Sequence, residues 1–450
     1  MKANTSTRFG FVVMTTSLAF VVSQLDVSIV NVALPQIGRS FTSGVSTLQW
    51  VVDAYTIAFA VLMLSAGGMS DLLGARRLFQ LGLLVFGAAS TGCGLSWNAL
   101  SLVLFRTLQG LGSAIMLPSS LSILNHSFAH EPQQRARAVA LWTAWGGVAI
   151  AAGPVLGGLL LRLSNWRWIF FVNIPICLLG LLCSLRLKDN EKDEPRGFDL
   201  PGQGLWMLAL TALIASIIEW HALGHSALIY GALAFSGVMF GLFLWREQRA
   251  AAPILPLDLF RSRNFNIFIG LGIIVNGSYY GTVFVLSLYL QNVLHYSGFG
   301  AGIAFLPLTA GFIVSNLTSA KLMQKYGIRV PILAGLLVFA AGFGCLLIAR
   351  QGTPYWQLLL PFLLLPLGMG MAVPAMTTGT LATVDPKRSG IASAVLNTTR
   401  QAAGAIGVAV FGAMAAGGET AIVRAIAESS VIAGICAFLY ALLIYKKLKN

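Results

Sequence analysis

Charge is what this sequence has least of. Lys, Arg, Asp and Glu together make up 10% of its 450 residues, against 57% hydrophobic residues, whereas a soluble domain carries about 25% charged residues. A chain so poor in charge cannot cover a globule with hydrated side chains, which excludes a soluble fold. Acid is the scarcer sign: 15 Asp and Glu stand against 29 Lys and Arg, a net charge of +14. Cysteine is sparse as well. Cys93, Cys177, Cys183, Cys345 and Cys436 all fall in apolar runs without metal-ligand spacing, and read as small buried residues. No Gly-Lys dipeptide occurs, so the phosphate-cradling Gly-x-x-x-x-Gly-Lys loop is missing and ATP is not the direct energy source. No metal and no cofactor is expected. The first apolar run is too long for the core of a cleavable signal and lacks a small-residue cleavage site after it, so it is expected to stay as a membrane helix.

Long apolar runs are what the chain has instead. They lie near Phe11–Leu34, Leu48–Met69, Leu78–Leu95, Ala99–Leu124, Ala138–Leu161 and Trp168–Leu185; then Leu205–Trp220 and Ala227–Trp245; then Phe265–Leu290, Gly302–Leu322, Pro331–Ala349, Tyr355–Thr377, Ile391–Ala415 and Ser430–Tyr445. At ~1.5 Å per residue such runs cross a hydrocarbon core of ~30 Å. In lipid the backbone must satisfy its own hydrogen bonds, so each is expected to be a helix. The expectation is an all-α polytopic membrane protein of 14 transmembrane helices arranged 6+2+6: a six-helix half over residues 1–186, a linker with two inserted helices over 187–264, and a second six-helix half over 265–450. The segment Gly417 to Ser429 reads as partly amphipathic and able to lie along the outer interface.

The basic residues set the orientation. With the N-terminus inside, the inner segments hold 22 Lys and Arg, from Lys2 and Arg8 to Lys449, and the outer ones hold Arg39, Arg162, Arg167, Arg350 and Arg424. That imbalance is a positive-inside signal which puts both termini in the cytoplasm. The net charge is therefore topological, and no nucleic-acid partner is implied.

A few ionisable groups sit where lipid would make them costly, which marks them as functional candidates. Asp26 lies inside the first run and Asp53 in the outer part of the second. Arg106 lies about two turns into the fourth, and Arg400 about nine residues into the thirteenth. Asp26, Asp53 and Arg106 can share one layer of the membrane. A carboxylate there, raised in pKa by burial and lowered by a neighbouring guanidinium, can couple a proton to a change of conformation. The plainer alternative is an aspartate that only packs helices together.

Leu25-Asp-Val-Ser-Ile-Val-Asn-Val-Ala-Leu-Pro35 resembles the first-helix motif of the fourteen-helix drug:proton antiporters of the major facilitator superfamily. Further matches run through nearly the whole chain: Trp50-Val-Val-Asp-Ala-Tyr55, Arg106-Thr-Leu-Gln-Gly-Leu-Gly112, Trp166-Arg-Trp-Ile-Phe-Phe-Val-Asn-Ile-Pro175, Phe198-Asp-Leu-Pro-Gly202, Leu257-Asp-Leu-Phe-Arg261 and Asn397-Thr-Thr-Arg-Gln401. The resemblance implies a transporter, not an enzyme: a monomeric exporter in a bacterial cytoplasmic membrane, driven by the proton gradient, with small amphipathic organic substrates and protons as its partners. Two alternatives stay open, a dedicated exporter of one endogenous metabolite (a secondary product, peptide or siderophore) and a non-transporting receptor or assembly partner that keeps the fold.

Two more stretches carry the resemblance. Gly67-Gly-Met-Ser-Asp-Leu-Leu-Gly-Ala-Arg-Arg77 matches the family's cytoplasmic gate motif, with Gly67 for close approach, Gly74 for a tight turn, Asp71 for a charge latch, and Arg76 and Arg77 beside it. It departs from the pattern at Leu72 and Ala75, where basic residues are usual. Gly153-Pro-Val-Leu-Gly-Gly158 reads physically as a kink at Pro154 with a smooth face at Gly153, Gly157 and Gly158. In the resembling family this Gly-Pro motif marks proton antiporters. Trp50, Tyr55, Trp142, Tyr279, Tyr280 and Tyr289, with Arg400, are candidates for an aromatic substrate pocket. Trp and Tyr also gather at membrane interfaces without any such role. His221 and His225, beside Glu219, have a spacing compatible with a metal but no further ligand, and read as an interfacial loop.

Overall fold

The structure is a computed structural model. It describes residues 2–129, 131–187, 199–250, 253–385 and 388–448, with side chains at all of these except 2–8, 64–73, 132, 136, 151 and 389. The described residues form helices joined by short turns. In order these are α1 (Lys2–Phe41), α2 (Val45–Leu73), α3 (Ala75–Gly94), α4 (Ala99–Ser127), α5 (Pro132–Leu163), α6 (Trp168–Phe171), α7 (Asn173–Ser184), α8 (Leu200–Leu223), α9 (Ala227–Glu247), α10 (Arg263–Leu288), α11 (Gly298–Ala304), α12 (Leu306–Tyr326), α13 (Arg329–Leu346), α14 (Tyr355–Ala382), α15 (Ser389–Met414) and α16 (Glu419–Lys447). A π turn, Tyr289–Val293, extends α10.

Eleven of the described helical segments are long and apolar enough to cross a membrane. Three expected spans fall outside that set, each for a visible reason. α3 begins with Arg76 and Arg77 and carries Gln80, Ser90 and Thr91. α15 opens on a polar half with Ser393, Asn397, Thr398, Thr399, Arg400 and Gln401. The sixth run is broken at Val172 into α6 and α7, shortly before Pro175, whose ring has no N–H for a continuous ladder. A similar break at Phe305, before Pro307, separates α11 from α12. Two expectations are corrected. Residues 419–429, within the stretch expected to lie along the interface, instead form the first turns of α16. Of the five cysteines only Cys93 and Cys177 are buried, while Cys436 is exposed.

The helices pack as two bundles. In the first, α1 lies on α5 and α4, and α3 on α4 and α7; in the second, α10 lies on α15 and α16, and α13 on α14 and α16. α8 lies in the groove between α2 and α15 and holds α2 through hydrogen bonds: Glu219 Oε1 accepts from Trp50 Nε1 (2.8 Å) and Ser46 Oγ (3.2 Å), and Gln203 Nε2 donates to Val61 O (2.5 Å). α9 covers α8 and presents Leu228, Phe235, Val238, Phe240 and Trp245 outward, an apolar face suited to lipid.

The bundles meet along a seam that is sealed at the end where α1 turns into α2. Gln49 Nε2 of α2 donates to Ala409 O (2.7 Å) and Val408 O (3.2 Å) of α15, Gln291 Nε2 donates to Val32 O (2.9 Å), and Ser287 Oγ donates to Asn31 O. Close approach here depends on glycine. A Cβ at Gly302 of α11 would collide with Pro154 O of α5, and one at Gly158 would stand 3.0 Å from Phe299 Cα. Where α2 meets α3, Gly74 adopts φ 91°, a left-handed conformation that a side chain would strain.

Candidate functional site

Among the described residues the first bundle encloses one fully buried ion pair. Asp26 of α1 and Arg106 of α4 are 0% and 1% exposed, and Arg106 Nη1 donates to Asp26 Oδ2. A buried pair is tolerable only where further hydrogen bonds support it, and several do so here. Asp26 Oδ1 accepts from Gln109 Nε2 and Asn173 Nδ2, both at 2.9 Å. Arg106 Nη1 also reaches Gln109 Oε1 (2.9 Å), and its Nε donates to Val51 O of α2 (2.9 Å). Ser90 of α3 closes the network at 2.6 Å from Gln109 Nε2. Side chains of α4 and α7 thus meet the carboxylate of α1, and α2 and α3 complete the network through Val51 O and Ser90.

Tyr55 forms the wall beside it. Its ring lies 4.5 Å from the Arg106 guanidinium carbon, and its hydroxyl bridges Ser23 Oγ (2.8 Å) and Ser113 Oγ (2.7 Å). Such a cation–π contact adds to the confinement of the guanidinium.

On the other face of α1 is a cavity of about 60 Å³ between the bundles. α1 contributes Gln24, Ser28 and Asn31, α5 contributes Pro154, and α10 contributes Tyr279 and Tyr280, with Phe312 of α12 closing it. This space would hold a water or two, far below the ~300–1,000 Å³ of organic ligand pockets. The central cavity is constricted in this conformation. Asp26 does not line it: its partners lie on α4 and α7, so α1 stands between the carboxylate and the cavity.

A model of the Major Facilitator Superfamily matches residues 16–408. The chain belongs to that superfamily. It is therefore a membrane transporter and not an enzyme. It is 34% identical over 420 residues to the methylenomycin A resistance protein of Bacillus subtilis (strain 168), covering 92% of this chain and 89% of that one. It is 32% identical over 395 residues to the tetracenomycin C resistance and export protein of Streptomyces glaucescens, covering 87% and 73% of the two chains. In fold it is similar to the xylose transporter XylE from E. coli, in a partially occluded inward open conformation, with a TM-score of 0.69 at 14% identity and 98% of each chain covered.

Within this superfamily member the residues singled out by sequence go to different places. Asp53 is fully buried on α2, and neither of its carboxylate oxygens has a hydrogen-bond partner among the described residues. Gly153 and Gly157 lie against Ser28 and Ile29 of α1, and Gly158 against Phe299, so the Gly-Pro motif sits at the junction of α5, α1 and α11. Gly67 and Asp71 belong to α2 with their surroundings outside the described side chains, while Arg76 Nη2 donates to Leu185 O (3.0 Å). Of the aromatic candidates, Tyr279 and Tyr280 line the central cavity; Trp50 is held by Glu219, Trp142 stacks on Phe20 with ring centroids 4.1 Å apart, and Tyr289 donates to Arg350 O (2.7 Å) inside the second bundle. Arg400 approaches Asn276 Oδ1 and Asn397 Oδ1, both at 3.3 Å. His225 Nδ1 pairs with Tyr230 OH (2.7 Å), and no group of three metal-ligating side chains occurs among the described residues. The polar partners of Asp26 that the sequence does not single out are Gln109 and Asn173. Both stand in the motifs quoted above, one helical turn after Arg106 and just before Ile174-Pro175.

Proposed function

We propose that the protein is a proton-coupled exporter of amphipathic organic compounds, working by alternating access. The observation that carries this is the buried Asp26 carboxylate, held by Arg106, Gln109 and Asn173 on one face of the same helix whose other face meets the central cavity. Protonation of Asp26 removes its charge and weakens its hold on Arg106, which frees α1 to shift against α4. The same helix presents Gln24, Ser28 and Asn31 to the cavity and gives Asn31 O and Val32 O to the sealed seam. A proton thereby acts on substrate through α1, without the two competing for one group. Asp53, without a hydrogen-bond partner among the described residues, is a second embedded acid available to a proton or a cationic group of the substrate. Asp71 with Gly67, Gly74, Arg76 and Arg77 is assigned to the cytoplasmic gate.

The topology in this proposal has fourteen crossings, with α3, the α6–α7 pair and α15 added to the eleven strongly apolar segments, in the order 6+2+6 over residues 1–186, 187–264 and 265–450. Side-by-side packing over the length of α15, from Leu396 against Gly272 to Phe411 against Gly281, supports its crossing. The imbalance of basic residues supports cytoplasmic termini in a plasma membrane, and a monomer suffices. Export is supported by relatives named for antibiotic resistance and export.

The test is transport by the purified full-length protein in sealed vesicles with an imposed pH gradient, over a panel of amphipathic compounds. At least one compound should move uphill against the direction of proton flow and lose that ability when a protonophore collapses the gradient. Movement with the protons, or uphill movement indifferent to the gradient, contradicts the proposal.

A further inference from the structure

A second and larger cavity, about 380 Å³, opens at the sealed end of the seam. That volume falls in the range of organic ligand sites, ~300–1,000 Å³. α1 lends it Gln36 and Arg39, α5 lends Leu161 and Arg162, and the second bundle closes it with Tyr296 and Phe299. Two guanidinium groups from separate helices share this cavity, and no acidic side chain lines it. Among the described residues neither arginine forms an ion pair.

Their position is the second observation. This end of the molecule is poor in basic residues, holding Arg39, Arg162, Arg167, Arg350 and Arg424 of the chain's 29 Lys and Arg. Arg167 is used structurally, donating to Gly94 O (2.8 Å) and Ser96 O (2.6 Å). Arg39 and Arg162 instead meet at a void. Arg162 is fixed against the wall, its guanidinium carbon 5.1 Å from the Phe299 ring centroid. Gln36 contributes a third polar group. It lines the cavity beside the two arginines.

We infer that this cavity binds an organic anion, an apolar body bearing one carboxylate or phosphate, with the anionic group between Arg39 and Arg162 and the body against Leu161, Tyr296 and Phe299. Guanidinium forks suit such groups because they donate two parallel hydrogen bonds to one oxyanion. A ligand here touches α1 and α5 on one side and residues 296–299 on the other, so it ties the bundles together at the sealed end. The inference concerns binding alone and is independent of proton coupling.

The probe is dansylglycine, a carboxylate on an aromatic body whose fluorescence rises in apolar surroundings, titrated into full-length protein in neutral detergent beside its neutral analogue dansylglycinamide. The acid should bind saturably, and the double variant Arg39→Gln/Arg162→Gln should weaken it by about tenfold or more, the scale of lost charge-assisted contacts. The amide should bind more weakly and be indifferent to the variant. Arg39→Lys, which keeps charge but loses the fork, should fall between. Arg350→Gln, at the same end but away from the cavity, is the control and should bind as wild type. In lipid nanodiscs, displacement of the probe by phosphatidylglycerol identifies a lipid phosphate as the occupant, and indifference to it identifies a soluble anion; both keep the anion site. Equal binding of acid and amide, an unaffected double variant, or an equal loss in Arg350→Gln overturns it.

Discussion

Each bundle carries an arginine well inside a helix, Arg106 fully buried and Arg400 half-buried, and the two are held differently. Arg106 of α4 has a carboxylate partner whose other oxygen takes two amide donors. Arg400 of α15 has only the amide oxygens of Asn276 and Asn397, at 3.3 Å, and among the described residues no carboxylate reaches it. The difference separates two ways of keeping a guanidinium out of water. A full ion pair can be undone by a single proton on its acid, so it can serve as a switch. A cation resting on neutral amides has no such handle, and for that reason the proposed proton coupling is assigned to the first bundle.

The comparison breaks most visibly when each arginine is removed. Arg106→Leu strands a buried carboxylate, and losing one partner of a buried pair costs about 3–5 kcal/mol. Arg400→Leu removes weaker amide contacts, about 1 kcal/mol. The thermal midpoint of the purified protein in detergent should therefore fall far more for Arg106→Leu. Equal falls, or a larger one for Arg400→Leu, would erase the distinction.

Helices were legible in the sequence because an apolar run of span length has few alternatives in lipid, and every run named in advance contains helix. Helix ends were less legible. Glu419 and Arg424 made residues 417–429 look interfacial, whereas the helix gains from continuing, and charged ends of a span can reach water. The breaks at Val172 and Phe305 depend on prolines at positions 175 and 307, which in other helices here, at Pro154 and Pro361, leave the helix continuous. Spacing could place Asp26 and Arg106 in one layer. It could not bring them into contact, because that contact is set by how α1 packs on α4. Gln109 and Asn173 stand within the family-like motifs, but an amide is a common helix residue, and only burial next to a carboxylate turns it into a partner. Trp50 and Tyr289 show the limit for aromatics: both bond to polar groups away from the central cavity.

A smaller effect is expected where an ion pair is exposed. Asp258 lies in the turn before α10, and its Oδ1 accepts from Arg388 Nη2 at 2.9 Å, at the start of α15. The hydrogen bond from Arg388 holds the Asp258 carboxyl below its usual value. Both side chains are more than a third exposed, 48% for Asp258 and 38% for Arg388, so solvent screening leaves only about 0.2–1 kcal/mol. Because the folded value is depressed, this stabilisation is complete above the unfolded carboxylate pKa of ~3.9 and disappears as pH falls through the folded one. Arg388→Gln should lower the midpoint slightly at neutral pH and not at all once Asp258 is protonated. A loss that persists in acid would mean that Arg388 acts by packing.

The most direct test of the account is Asp26→Asn in sealed vesicles under an imposed pH gradient, with proton flux measured per substrate moved. Asn keeps the size of the side chain and a carbonyl oxygen for Gln109 and Asn173, but it cannot carry a proton. The variant should insert and fold, let substrate equilibrate, and show neither uphill accumulation nor substrate-linked proton movement. If Asp26→Asn concentrates substrate as wild type does, the proton is carried elsewhere and the role given to the Asp26–Arg106 pair is wrong.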